Sequence, residues 1–582
     1  MTPLLSLATQ WTRRAWLART AHHTVVLAGF ARRHIPLSQS IATDPATATR
    51  LATQAVLQEP GPLQALAHQA LDAARTAGAH YADVRLTRTV GHRYVFGGYN
   101  AWFDADVEVV GVGVRALVNG YWGFAACPWR EPDAIVQVAR DAVAQAMVNA
   151  KGPSRTVELG EVPVVTGTWS TPMKVDPFAI PIEEKIDTLR VLMDDASAFD
   201  IWFPSFPEIS TLEFHRQERV IATSEGTLVT QTVYESGGDF RVRYANENPF
   251  APQHPALILT GLTPAGKGWE ILQDARLHEQ FIAAVPKIVT QFRLQNTQKP
   301  TTVGRYTVVC DGQTMAALLD KTLGVATQLD RALGYEANAG GTSFLDDPLR
   351  MVGQYQVAAP GVTVTANRSA PTQLATVKWD DEGVEPQPFT LVKDGVLVDF
   401  QTTREQAAWL APYYRRFGHP VRSHGCAGSE DALGIPLQMM PNLALEPGAS
   451  SVRPEDLVAD VPEGILITGG EVRQVDFQAR NGLLEGQMRE IKNGRLGRAL
   501  VGGAVLFNTM TLWKDVTALG GSDTLGNIVA PRDGWLGNNA FMKGMRGIRP
   551  RKGQPPQTTS YSVQAVAAII KGQSVIDPAR KG

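Results

Sequence analysis

The chain has 582 residues, 44% hydrophobic and 19% charged, a balance that builds folded cores and argues against extensive disorder; at about 150 residues per domain it calls for three or four. A formal net charge of −2 supplies no positive field to hold nucleic acid or anionic lipid. Cys127, Cys310 and Cys426 are too few and too scattered for a disulfide framework or a Cys-x-x-Cys metal ribbon, and no run of about 20 apolar residues predicts a spanning helix.

The first 43 residues carry five arginines and no acidic residue. Thr12-Arg13-Arg14-Ala15-Trp16-Leu17, followed by the apolar run 24–31, is similar to a twin-arginine signal and implies an exported, periplasmic protein. Arg19, His22, His23 and Arg32-Arg33 break that pattern. A transit peptide, or a disordered extension on a cytoplasmic protein, therefore stays open, and residues 1–50 are set aside as a leader.

Leu63, Leu66, Ala70, Leu71 and Ala74 recur at helical spacing and predict a helix over 62–77, stopped by Gly78. Residues 81–87, 107–112 and 113–118 alternate as strands, and Asn119-Gly120 before Tyr121-Trp122-Gly123-Phe124 marks a hairpin. A helix over 132–150 closes an N-terminal domain, residues 55–150. Gly111-x-Gly113 lacks the helix that a dinucleotide loop requires, so it belongs to the sheet.

The Pro/Gly/Thr-rich stretch 151–177 reads as a boundary. Four short alternating runs within 207–245, punctuated by Glu225-Gly226 and Gly237-Gly238, lie between helical patterns at 182–197 and 269–291 and give a central domain, residues 151–298. A strand at 306–310 then leads into a helix over 311–325 and mostly β sequence, a C-terminal domain of residues 300–520. Residues 521–582 form an atypical extension with a basic stretch, read as a solvated loop, and a late apolar helix at 563–570. The fold class is α+β: antiparallel-sheet N-terminal and central domains with flanking helices, followed by a mostly β domain.

Three segments together carry a family resemblance. Leu71-Asp72-Ala73-Ala74 through Tyr81-Ala82-Asp83-Val84-Arg85, then Gly111-Val112-Gly113-Val114-Arg115 and Gly120-Tyr121-Trp122-Gly123-Phe124-Ala125, form the first. Asp380-Asp381-Glu382-Gly383-Val384, Leu391 to Leu397 and Met440-Pro441-Asn442-Leu443 form the second, and Ile465-Leu466-Ile467 through Asn493-Gly494 the third. In order and spacing they resemble the TldD/PmbA family, also called modulator of DNA gyrase, over roughly residues 60–520. The resemblance implies a protease system of two related subunits. One holds zinc on a His-Glu-x-x-x-His helix with a later cysteine ligand, and the other lacks those ligands.

Such a helix works because two imidazoles hold Zn²⁺ while the carboxylate between them activates a bound water. By resemblance the equivalent helix runs through Leu318-Leu319-Asp320-Lys321-Thr322-Leu323-Gly324-Val325. Asp320 and Val325 stand where the histidines would, and Lys321 where the glutamate would. Valine has no lone pair to give, and an ammonium repels Zn²⁺. Arg549, Pro550 and Arg551 fill the region of the later cysteine, and His278-Glu279 is followed by Ile282 and Ala283 instead of a second histidine.

These readings predict a metal-free member of the family, inactive alone, with zinc on a TldD-like paralogue in a heterodimer that acts on unfolded peptides. Two alternatives stay open. One is a homodimeric scaffold that binds extended peptides by strand addition. The other is a hydrolase with an unrecognised site, for which His419, His424 and Cys426 on a Gly-rich loop, with Asp431, are the candidate metal or nucleophile cluster. Asp380, Asp381 and Glu382 before Gly383 read as a solvated turn, and Trp409, Tyr413, Tyr414 and Phe417 as core or subunit interface.

Overall fold

The structure is a computed structural model. It describes residues 60–578 apart from 98–99, 129–131, 153–155, 198–209, most of 240–261 and of 275–297, 449–451, 531–551 and 554–555. The leader with its twin-arginine-like motif therefore lies outside the described residues, as do His278 and Arg549 to Arg551.

The opening helix, Pro60–Thr76, buries Leu63, Leu66, Ala70, Leu71 and Ala74, and Gly78 leaves it at φ +109°, a conformation that costs glycine little. Strands β1 (Tyr81–Gly97), β2 (Asn100–Val118) and β3 (Tyr121–Pro128) then form an antiparallel meander. Asn119 and Gly120 sit at φ 52° and 81° between the paired residues Val118 and Tyr121, so the expected hairpin forms. The helix Pro132–Asn149 packs on β2 and β3.

The sheet does not end there. Strands β4 (Thr166–Ser170), β5 (Ser210–Thr223) and β6 (Leu228–Asp239) continue it in the order β3-β2-β1-β5-β6-β4. β1 pairs β5 from Asp83↔Thr223 to Phe96↔Ser210. The proposed N-terminal and central domains thus share one sheet, and 151–177 is a connection inside it. Pairing between residues so far apart in sequence leaves no mark in a local pattern. The four short runs are mainly two long strands, because Gly237 and Gly238 stay within β6.

The remainder builds two further large sheets and the short pair Ala427–Gly428 with Leu437–Gln438. An eight-stranded one orders Glu463–Val475, Gly304–Cys310, Ala568–Ile576, Ala504–Asn508, Asn481–Lys492, Arg495–Val501 and Lys299–Pro300, with Val516–Leu519 beside Ala568–Ile576. Glu463–Val475 also pairs Asn481–Lys492, closing five of these strands into a circuit. A six-stranded sheet orders Val396–Leu397, Phe389–Lys393, Val364–Asn367, Asn442–Leu445, Tyr561–Ala565 and Gly526–Ala530. The buried helix Gly312–Leu319 touches strands of both, and Trp409, Tyr413 and Tyr414 join the surrounding core while Phe417 stays 49% exposed.

Two expectations change here. Residues 521–582 are no appendage, since they supply a strand to each sheet's interior. The late helix is a pair of strands, Tyr561–Ala565 and Ala568–Ile576. Val563, Val566, Ile569 and Ile570 are β-branched and buried, which favours strand, while burial on both faces removes the alternation that would have announced it. The α+β class holds. Among the described residues no helix is long and apolar enough to cross a membrane.

Candidate functional site

Asp311 caps the central helix, its Oδ1 accepting from Thr314 N at 2.8 Å, which satisfies a donor that a helix start leaves open. After Leu319 the winding loosens into a π turn over Asp320–Gly324. In such a turn residues five apart stack on one side, and π turns concentrate at functional sites. Positions 320 and 325 are five apart, so the backbone suited to a His-x-x-x-x-His pair is present although the histidines are not. Trp513 Nε1 donates to Thr322 Oγ1 at 2.9 Å and ties the turn to the core.

Asp320 is buried, and both its oxygens are engaged. Tyr561 OH donates to Oδ1 at 2.7 Å, and Lys321 Nζ lies 2.7 Å from Oδ2. Val325 faces apolar core. A zinc ion does not fit this set, because one position offers an ammonium, one offers no lone pair and the carboxylate is already paired.

A second buried pair lies at the end of a hydrogen-bond chain from the same turn. Lys552 Nζ donates to Asp330 Oδ1 and Oδ2 at 2.7 and 2.6 Å and to Gln438 Oε1 at 2.7 Å. Gln438 Nε2 donates to Gln401 Oε1 at 2.9 Å, and Gln401 Nε2 to Gly324 O at 2.7 Å. Burial lowers the pKa of the Lys552 ammonium even though Asp330 opposes the shift.

The loop cluster His419, His424 and Cys426 is not assembled. His419 is exposed. His424 is buried, its ring stacked on Phe389 with centroids 3.9 Å apart and Nε2 2.9 Å from Asp399 Oδ2. The Cys426 thiol is pushed up to about 12 by burial, the opposite of an activated nucleophile. Among the described residues no three His, Cys, Asp or Glu side chains are grouped to hold a metal.

The largest departure concerns Asp380, Asp381 and Glu382, which are 0%, 2% and 2% exposed. Far from a solvated turn, they receive arginines carried by the first sheet. Arg85 Nη1 lies 3.3 Å from Asp381 Oδ2 and donates to Ser429 Oγ at 2.6 Å, and Ser429 donates on to the same Asp381 oxygen at 2.5 Å. Arg219 Nη1 lies 3.3 Å from Asp381 Oδ1. Arg115 bridges Asp83 and Glu382 at 2.7 and 3.1 Å, and the Arg404 guanidinium holds Glu225 at 2.8 and 3.0 Å. Burial would raise the Asp381 carboxyl, but Arg219 and Arg85 outweigh it and hold it below the usual value. Asp380 is pushed upward by its burial and by Glu382. No local signal could have found this network, because Arg85 and Arg115 lie 296 and 267 residues from their carboxylate partners.

The PmbA/TldA metallopeptidase C-terminal domain matches residues 303–533, and PmbA/TldA metallopeptidase domain 1 matches residues 105–146. A metalloprotease of Methanocaldococcus jannaschii is 24% identical over 439 residues, 72% of this chain and 85% of the relative. One of Methanothermobacter thermautotrophicus is 25% identical over 426 residues, 72% and 82% respectively. The fold is that of a Thermotoga maritima protein described as a modulator of a DNA gyrase, with TM-score 0.62 and 16% identity over 88% of this chain and 100% of that one. It is also that of TldE from Thermococcus kodakarensis, with TM-score 0.61 and 12% identity over 87% and 98%.

Proposed function

Because the chain belongs to the PmbA/TldD metallopeptidase family, we propose that it is the metal-free, non-catalytic subunit of a heterodimeric zinc metallopeptidase that acts on unfolded peptides. The observation that carries this reading is the π turn. Its capped helix and its tie to Trp513 are those of a precise scaffold, and the Asp320–Lys321 ion pair and Val325 lie in it, at the positions that by family resemblance would ligate and activate. The working zinc would sit on a paralogue with an intact His-Glu-x-x-x-His helix, and this chain would help enclose the substrate.

The test is native mass analysis with metal quantification on affinity-tagged protein recovered from its own cells. A heterodimer with one zinc, lost when the partner is removed, is the expected result. Stoichiometric zinc and peptide cleavage by the isolated chain would overturn the proposal, and a zinc-free homodimer would replace it with a peptide-binding scaffold.

A further inference from the structure

The two edges of the first sheet are finished differently. On β3, Gln145 Oε1 accepts from Phe124 N at 2.7 Å and Asn149 Nδ2 donates to Trp122 O at 2.8 Å, so side chains of the helix Pro132–Asn149 take outward backbone groups. On β4, at the other end of the strand order, the pairing is one-sided. Leu228 N donates to Val165 O and Thr171 N to Thr232 O, each at 2.9 Å, and between these bonds β4 runs parallel to β6. Alternate residues of a strand turn their backbone groups to opposite sides. Gly167 and Trp169 therefore face β6, while the N–H and C=O groups of Thr166, Thr168 and Ser170 face outward. Among the described residues these outward groups have no partner, and all three residues are exposed. Such an edge is a template for one more strand.

A pocket of about 160 Å³ adjoins this strand. Trp169, Thr171 and Pro172 line it from the β4 segment, Val233 from β6, and Pro371 and Leu374 from the segment opposite. Among the described residues no charged side chain lines it. A cavity of this size takes a benzene-sized group, which is room for one leucine or phenylalanine side chain.

The segment opposite is held firmly. Leu374 N donates to Ser562 Oγ at 3.1 Å and Ala375 N to Asn442 Oδ1 at 2.9 Å. Gly266 N donates to Thr372 O at 2.8 Å and helps hold Thr372 at φ 64°, an unfavourable backbone for a β-branched residue. On the same face of β4, the ring of Trp379 packs so closely that a Cβ on Gly167 would come within 3.2 Å of its Cη2. Trp379 is 5% exposed and its Nε1 has no hydrogen-bond partner, a donor that folded chains seldom leave open.

We propose that β4 receives an extended polypeptide segment as an added strand, with a leucine- or phenylalanine-sized side chain of that segment in the pocket beside Trp169. The backbone of the segment bonds Thr166, Thr168 and Ser170. Residues directly opposite in neighbouring strands share a face, so the residue set against Trp169 or Thr171 points to the pocket side. A charged side chain there would be left without a partner. The proposal goes beyond the metal-free subunit reading and stands without it, because binding is read with neither zinc nor turnover.

The test measures binding of the fluorescent, end-blocked peptide Lys-Thr-Leu-Thr-Leu-Thr-Lys to the full chain, beside one form N-methylated on its threonines and another on its leucines. An added strand turns only one of these sets of N–H groups toward β4. One methylated form is therefore expected to bind at least about tenfold more weakly, and the other to bind like the parent. Alanine in place of both leucines should weaken binding about tenfold by emptying the pocket. Thr168→Pro removes an outward N–H that β6 does not use, a position where strands tolerate proline, and should cost about tenfold in binding with melting unaltered. If Thr168→Pro melts early, the two methylated peptides decide alone. Absence of binding by the parent peptide, an equal effect of the two methylations, or full binding of the alanine peptide would overturn the proposal. Full binding by Thr168→Pro with unaltered melting would overturn it as well.

Discussion

The junction between the first sheet and the rest of the chain and the π turn after the central helix both bury carboxylates beside cations, but they do so differently. At the junction each charge has several partners, contributed by segments far apart: Asp381 is shared by Arg85, Arg219 and Ser429. At the centre the pair Asp320–Lys321 is local, one residue next to the other, with Tyr561 as the single distant donor. A local ion pair neutralises its own charge and holds one distant group in place, the Tyr561 hydroxyl. A distributed network makes the position of two large regions depend on every member, because removal of one leaves several buried groups with a charged partner fewer.

The largest effect should therefore come from Asp381→Asn. It strands Arg85 and Arg219, and urea unfolding should show a loss of about 4 kcal/mol, in the range for a broken buried pair. The double variant Arg85→Met/Asp381→Asn should recover little, since Arg219 still loses its carboxylate partner. At the centre the outcome should reverse. Lys321→Met alone should cost about 2 kcal/mol by leaving Asp320 with one donor, while Asp320→Asn/Lys321→Met should return to within about 1 kcal/mol of the parent. Equal recovery in the two double variants would erase this contrast between the two regions.

A smaller effect tests a third way of burying charge. Lys185, 1% exposed, places its ammonium 5.3 Å from the ring centroids of both Tyr94 and Phe214. Burial lowers its pKa from 10.5 to about 8. Between those two values the unfolded chain keeps a proton that the folded chain has released, so stability rises with pH across that window and the buried charge is a burden below it. Lys185→Met should raise stability at pH 7 by about 1 kcal/mol and flatten the pH dependence between pH 8 and 10.5. An unchanged slope in thermal melts across that window would assign the pH response elsewhere.

What was legible in the sequence was local. Asn119-Gly120 specified its hairpin because left-handed φ values at two adjacent residues suit few other pairs, and the helix expected over 311–325 is the helix Gly312–Leu319 with the π turn that continues it. The assignment of Asp320, Lys321 and Val325 to zinc-motif positions rests on family resemblance alone. The π turn beneath them was invisible, since no residue type encodes a widened turn. Asp380-Asp381-Glu382-Gly383 had the composition of a solvated turn. What buries it are Arg85 and Arg115, 296 and 267 residues away from their carboxylate partners. The boundary at 151–177 misled for the same reason: composition marks where the chain turns irregular, and pairing decides where a sheet ends.

The placement of Ala568–Ile576 between Gly304–Cys310 and Ala504–Asn508 also sets a timetable during synthesis. The first sheet has all its strands once residue 239 has emerged from the ribosome. The eight-stranded sheet must wait for residue 576, and at about 5–20 residues per second the strand ending at Cys310 stays without that neighbour for on the order of tens of seconds. Through that interval its apolar edge is exposed to other nascent chains, so the cell's folding assistants are needed most on the half of the protein that is translated last.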